Sequence, residues 1–389
     1  MQNKKQPLYT FQFWLLCIST ALFSGSFNMM IPELPNYLTS LGGEDYKGLI
    51  ISLFTLMAGL SRPFSGKLTD VIGRIPVMIF GTLVCVICSL IYPFIAGVGG
   101  FLLLRFFHGF STGFKPTATT AFVADIAPLH RRGEALGLLG ISMNLGASIT
   151  PPIGSWITKV YTIDAMFYLS SALAIVSILI LLNLKETLPN PQPFTPKILR
   201  LKKDEWIEWQ AIPPAIAIML CYFSYGMILT ITPDQAEFLG MENKGLFFTS
   251  ITLASMSSRI FAGKISDRLG RIPVIKVGSF LIACALVFFG LAENGIMVMA
   301  AAACLGFSSG IVAPAAFAWT VDLAVNNEKG KALATAYIFL EIGIGAGAII
   351  SAWIYNNKPE NFSATYSTGA IICFCAFLYL QFIYRKKND

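Results

Sequence analysis

The sequence predicts an all-α polytopic membrane protein, with twelve transmembrane helices in two six-helix, pseudo-symmetric halves. Three observations predict it. Of 389 residues, 55% are apolar and 13% charged, with a mean hydropathy of +0.67, which leaves too little polar surface for a water-soluble chain of this length. The apolar residues gather into twelve runs of the length that crosses a hydrocarbon core. The last six runs repeat the first six at a constant offset. Most soluble enzyme folds are thereby ruled out.

In chain order the runs lie near 11–38, 48–66, 76–97, 100–123, 136–158, 165–184, 211–231, 245–263, 273–292, 295–319, 332–355 and 366–384. Lys4 and Lys5 precede the first in the manner of a secretory signal. No soluble stretch follows that run, so it is expected to stay as an uncleaved span. Most runs carry Gly, Ser or Thr on one side, which lets helices approach closely where lipid removes the hydrophobic drive between them. The longest connection follows the sixth run, where Pro189, Pro191, Pro193 and Pro196 stop a helix. Residues 1–184 are therefore expected to form one six-helix bundle, 185–210 a linker and 211–389 the second bundle. From Ile198 to Trp209 the linker mixes Lys202, Lys203, Asp204 and Glu205 with Leu199, Leu201 and Trp206, the pattern of a short helix lying on the membrane surface.

The chain carries 28 basic and 21 acidic residues. Of the basic ones, 19 fall on the side that holds the termini and only 4 (Lys47, Lys159, Lys244 and Lys358) in the opposite loops. This asymmetry predicts cytoplasmic termini, and it reads the +7 charge as a topology signal and not as a nucleic-acid surface. All 8 cysteines lie in apolar runs and read as small buried hydrophobes. With only His108 and His130 beside the Cys85-x-x-Cys88 pair, neither a metal site nor another cofactor is expected.

At an offset of 197, Ser61–Val77 aligns with Ser258–Val274 with 11 of 17 positions identical. The same offset matches Gly109 with Gly306, Gly113 with Gly310, Asp125 with Asp322, Gly133 with Gly330, Gly146 with Gly343 and Trp156 with Trp353. A duplicated six-helix unit implies a two-fold axis along the membrane normal, with a site between the halves. The repeated segment reads G-K-x-x-D-x-x-G-R-x-P. Gly66 and Gly263 are expected to allow close helix approach, and Pro76 and Pro273 suit the first turn of the next helix. Asp70 and Asp267 then lie near that helix N-terminus, where a carboxylate is favoured and holds a basic partner. Gly73, Arg74, Gly270 and Arg271 complete a loop that reads as a conformational latch on the termini side.

The sequence resembles transporters of the major facilitator superfamily over essentially its whole length. The Gly66–Arg74 loop is similar to the superfamily's gate-latching signature. Leu102–Gly109 resembles the fourth-span motif in which an arginine, here Arg105, is linked to proton transfer, with His108 in place of the usual glutamine. Gly146–Gly154, with Pro151 and Pro152, resembles the fifth-span antiporter motif, although Thr150 and Ser155 stand where it has glycines. Ile31–Pro35 resembles the first-span Pro-x-x-Pro of drug and metabolite exporters. The resemblance implies a bacterial inner-membrane, proton-coupled antiporter of the drug/metabolite branch, working as a monomer.

Ionisable residues inside the bilayer mark function by default. Four stand out: Glu33, Arg105, Lys115 and Glu341. Rise per residue puts Glu33 and Arg105 on the order of 10 Å outside midplane, and Lys115 and Glu341 just inside it. Depth alone therefore predicts two pairs, Glu33 with Arg105 and Lys115 with Glu341. Glu341 is the sharper candidate because its repeat mate is the neutral Asn144. Competition between a proton, Lys115 and substrate for one carboxylate is a workable coupling device. Arg62 and Arg259, at the ends of their spans, read as snorkelling to head groups. The stripe of Phe106, Phe107, Phe110 and Phe114 reads as packing.

The expected function is a secondary transporter working by alternating access, with protons, a small organic substrate and the bilayer as partners. Export is the first reading, and proton-coupled uptake of an organic anion or sugar-like nutrient the second. A membrane enzyme is disfavoured because the spans hold no Ser/His/Asp set and no phosphate loop. A transporter-derived receptor is disfavoured because neither tails nor linker can hold a signalling domain.

Overall fold

A computed structural model describes residues 9–127, 132–200, 207–323 and 329–383. Twelve long helices follow one another: α1 (Phe11–Met30), α2 (Lys47–Val71), α3 (Arg74–Ile91), α4 (Val98–Ile126), α5 (Arg132–Val160), α6 (Ile163–Leu181), α7 (Ile212–Phe238), α8 (Leu246–Leu269), α9 (Arg271–Gly290), α10 (Gly295–Asp322), α11 (Lys329–Tyr355) and α12 (Phe362–Leu378). By length and composition, 10 of the described helices suffice to cross a membrane. The exceptions are α4, diluted by Arg105, His108 and Lys115, and α8, diluted by its serines and Arg259. On α4, Arg105, His108 and Lys115 are buried by neighbouring helices, which is how polar residues are carried at membrane depth.

Helix starts follow local chemistry. The side chains of Thr10, Thr162 and Asn294 accept from the amides of Phe13, Ala165 and Met297, so α1, α6 and α10 begin with orphan donors satisfied. The first span is shorter than its apolar run, because α1 ends at Met30 and a separate helix, Leu34–Ser40, follows. Pro32 has no amide hydrogen to continue the ladder, and Pro35 sits in the first turn of the new helix. In the linker, Pro196–Leu199 forms a single 3₁₀ turn, and residues 201–206 of the expected surface helix lie outside the described residues.

Packing repeats in the two halves. Helix α1 lies on α5 and α6, α2 on α4, and α3 on α4 and α6, while α7 lies on α11 and α12, α8 on α10, and α9 on α10 and α12. Between the halves, α2 packs on α11 and α5 on α8, two seams that the repeat exchanges. Small residues set these distances. A Cβ at Gly146 would collide with the Ala21 carbonyl of α1, and one at its mate Gly343 with the Met219 carbonyl of α7. Gly66 does not play the close-approach role expected of it, since a Cβ there would meet nothing within 4 Å. The surroundings of Gly263 lie outside the described residues. Five cysteines are buried as expected, but Cys284, Cys304 and Cys375 are exposed on the bundle surface.

The two halves are tied together on the face away from the termini. Lys47 Nζ, at the start of α2, meets Asp234 Oδ2 near the end of α7 at 2.6 Å. Lys244 Nζ, just ahead of α8, meets Glu33 Oε2 at 3.7 Å and Glu237 Oε2 at 3.0 Å. Asn36 Nδ2 donates to Glu237 (2.8 Å), and Asn357 Nδ2 to the Glu44 carbonyl (3.1 Å). Toward the termini, one ion pair joins the halves among the described residues, Arg62 with Glu341.

Candidate functional site

Arg62 of α2 and Glu341 of α11 meet across the seam, Nη2 to Oε1 at 2.7 Å, with both side chains only 9% exposed. The Arg62 guanidinium also lies 4.4 Å over the ring of Tyr337, which packs at 4.9 Å against Phe317. Arg62 Nε is buried and without a partner. This arginine was expected at the head groups. It is instead the cation that neutralises Glu341, because the seam brings α2 against α11 and leaves it no path to water.

Neither pair predicted from depth forms. Lys115 Nζ donates to Ser177 Oγ (2.5 Å) and to Ser19 O and Oγ (both 3.1 Å), and sits 4.6 Å over the Phe23 ring. It is 1% exposed and points into the interior of its own half, away from α11. Arg105 is also enclosed, donating to the Ile50 carbonyl (3.0 Å) and to Tyr92 Oη (3.3 Å), 4.5 Å over the Phe54 ring. His108, which replaces the usual glutamine, bridges Tyr92 Oη and Cys85 Sγ at 3.3 Å each. Glu33 takes a hydrogen bond from Ser155 Oγ (2.7 Å), so the serine that departs from the fifth-span motif is the one that holds this carboxylate. The phenylalanine stripe is packing, with Phe110 against Phe114 at 5.8 Å and Phe114 against Phe80 of α3 at 4.8 Å.

On the second seam, Asn144 stands at the repeat position of Glu341 and Arg259 at that of Arg62. Asn144 Nδ2 is buried and has no hydrogen-bond partner among the described residues. Arg259 Nη1 lies 3.9 Å from the place of a Cβ on Gly140, one turn from Asn144, and Gly140 is the repeat mate of Tyr337.

The fifth-span motif forms this seam. Pro152 removes the amide that would have bonded the Ser148 carbonyl, and Thr249 Oγ1 of α8 donates to that carbonyl from the other half at 2.6 Å. Asn243 Nδ2 reaches the Pro152 carbonyl at 2.9 Å. Gly245 has no room for a Cβ against the Pro151 and Pro152 backbone, and Gly154 has none against the Met29 carbonyl.

The repeated loops adopt one geometry twice. Arg74 Nε bonds Asp125 (3.0 Å) and Nη1 bonds Asp70 (3.2 Å), while Arg271 bonds Asp322 (3.1 Å) and Asp267 (2.5 Å) in the same way. Gly73 and Gly270 take φ of +119° and +88°, which only glycine adopts without strain. Glu186 then accepts from the amides of Arg74 (3.0 Å) and Ile75 (2.9 Å), capping α3. Sequence reading missed Glu186 and the role of Asp125 and Asp322, although the offset had already matched that aspartate pair. It missed Lys47 and Lys244 as seals, and these also lie 197 residues apart.

This architecture and its loops have counterparts in known proteins. The family model of the Major Facilitator Superfamily matches residues 16–291 and 214–389. A multi-drug resistance efflux pump, PmrA, of Streptococcus pneumoniae is 26% identical, with 93% of each chain covered. The multidrug resistance protein MdtG of Serratia proteamaculans is 25% identical, covering 94% of this chain and 90% of its own. Among solved structures, a D-xylose–proton symporter superposes with a TM-score of 0.77 at 16% identity, over 96% of this chain and 97% of that one. A peptide transporter, POT, superposes with a TM-score of 0.80 at 15% identity, over 96% and 94%. These proteins are transporters, not enzymes. The chain is a multi-pass secondary transporter of the membrane and belongs to the major facilitator superfamily.

Proposed function

We propose that this transporter exports small organic molecules in exchange for protons, with Glu341 as the carboxylate that carries the proton. The observation behind this reading is the buried Arg62–Glu341 pair, the ion pair that joins the halves on the termini side among the described residues. Protonation of Glu341 removes the negative partner of Arg62 and unties α2 from α11, and deprotonation restores the tie. Proton occupancy thereby biases the two access states, as coupling requires. Export is favoured over nutrient uptake by the multidrug relatives, which are similar over nearly the full chain. Residues 1–184 and 211–389 are the two moving bodies, with 185–210 as tether. The Lys/Arg asymmetry supports cytoplasmic termini and the bacterial relatives an inner-membrane location, and in that orientation the described conformation is sealed to the outside. One chain holds both halves of the path and works as a monomer.

The test uses everted vesicles with the interior made acidic and two aromatic probes of opposite charge, ethidium and 1-naphthoate. Wild-type protein accumulates at least one of them, whereas Glu341→Gln loses pH-driven accumulation and keeps gradient-free exchange of that probe. Undiminished pH-driven accumulation by Glu341→Gln would remove Glu341 from the coupling role.

A further inference from the structure

The duplication makes the two seams comparable position by position. On the α2–α11 seam an arginine meets a carboxylate and a tyrosine ring: Arg62, Glu341 and Tyr337. On the α5–α8 seam the corresponding residues are Arg259, Asn144 and Gly140. The cation has been kept while both of its partners have been replaced, one by a neutral amide and one by no side chain at all. Arg259 is exposed and makes no hydrogen bond or ion pair among the described residues, whereas its mate is buried in a pair. At this pair of repeat positions the first seam holds an arginine neutralised by a carboxylate, and the second an arginine without one.

We propose that Arg259 and Asn144 form an anion-recognition site on the α5–α8 seam, and that the exported substrate supplies there the negative group that Glu341 supplies on the other seam. Three features point the same way. A guanidinium is charged at every accessible pH and offers a planar fork of donors matched to a carboxylate, phosphonate or sulfonate. Asn144 Nδ2 is a buried donor lacking an acceptor, a cost that an anion's oxygen removes. Gly140 puts no side chain against Arg259 Nη1, which lies 3.9 Å from where its Cβ would stand. The substrate class is an organic anion. This inference rests on the transport reading and deepens it by naming the substrate chemistry.

Three probes of one shape separate charge from size: 1-naphthoate, neutral 1-naphthylmethanol and cationic 1-naphthylmethylammonium. Equilibrium dialysis against the full chain in phosphatidylcholine nanodiscs reads binding. The anion is expected to bind roughly tenfold or more tightly than either analogue, as for one charge-assisted hydrogen bond. Arg259→Gln abolishes that preference, and Arg259→Lys keeps part of it because the charge stays while the fork is lost. Asn144→Asp abolishes it by a separate route, since the new carboxylate occupies Arg259 from within. Equal binding of the three probes, or a preference untouched by Arg259→Gln and Asn144→Asp, overturns the proposal. So does naphthoate binding that disappears when phosphatidylglycerol replaces phosphatidylcholine, which would assign Arg259 to a lipid head group. Export of ethidium or naphthoate in the everted vesicles is scored separately. Export without an anion preference sinks this site alone, whereas an Arg259-dependent anion preference without pH-driven movement of ethidium or naphthoate sinks the export reading alone.

Discussion

Lys47 and Lys244 occupy equivalent positions in the two repeats, and each reaches across to carboxylates of the opposite half, Lys47 to Asp234 and Lys244 to Glu33. The glycine after each lysine packs on the other half as well. Gly48 meets Ala348 and Gly245 meets Pro151, themselves repeat mates. Two symmetry-related locks therefore hold the face away from the termini.

Removing both locks should open that face. Spin labels at Ser40 and Lys358, exposed positions in different halves, report its width once the exposed Cys284, Cys304 and Cys375 are replaced by serine. Lys47→Met together with Lys244→Met is expected to raise the widely spaced population roughly tenfold, with each single change giving less. A distance distribution identical to that of the parent would show that the locks carry no closing energy.

Stability should follow the partner that Glu341 has in the structure. Arg62→Met leaves a buried carboxylate alone and should cost about 3 kcal/mol, and adding Glu341→Gln should recover most of it. Thermal unfolding in detergent measures both. If Lys115→Met rescued Glu341→Gln and Arg62→Met did not, the pairing described for this seam would be wrong.

Lys115 should be dispensable for coupling. Its ammonium is held by Ser19 and Ser177 and has no carboxylate against it. Lys115→Met is therefore expected to leave stability unchanged or about 1 kcal/mol higher, as when a buried charge gives way to an apolar group of similar volume. Its pH-driven probe accumulation should match the parent's. Loss of accumulation with an intact melting profile would return Lys115 to the proton path.

Asp70 is largely exposed and bonded to Arg74 of its own loop, so Asp70→Asn should change stability by no more than about 0.5 kcal/mol. On the latch reading of this loop, its effect is expected in the other access state. Labels at Asn183 and Leu269, on the termini side of the two halves, should shift toward wider spacing in the variant. Unaltered spacing would leave Asp70 a turn residue and nothing more.

The helices and the duplication were legible because both are written along one dimension. Apolar run length sets span number, and the offset of 197 needs only identity at matched positions. The charge pairs were not. Counting residues gives depth along the membrane normal, but the direction in which a side chain points around its helix decides its neighbours, and Lys115 and Glu341 share a level while facing different interiors. Arg62 carried the missing signal, since it recurs as Arg259 while Glu341 does not recur, an imbalance that asks where the second arginine finds its counter-charge. The first span was overextended because Pro32 interrupts an apolar run without making it polar.

The bond from Thr249 to the Ser148 carbonyl makes hydration part of the transport cycle. Pro152 has taken away the amide that would have satisfied that carbonyl within its own helix, so only the opposite half supplies a donor. When α5 and α8 part at this level, the carbonyl faces hydrocarbon unless water or a polar group of the cargo takes the place of the hydroxyl. Separation of the two helices is thereby tied stoichiometrically to wetting of the cleft, and a dry opening is the costly one.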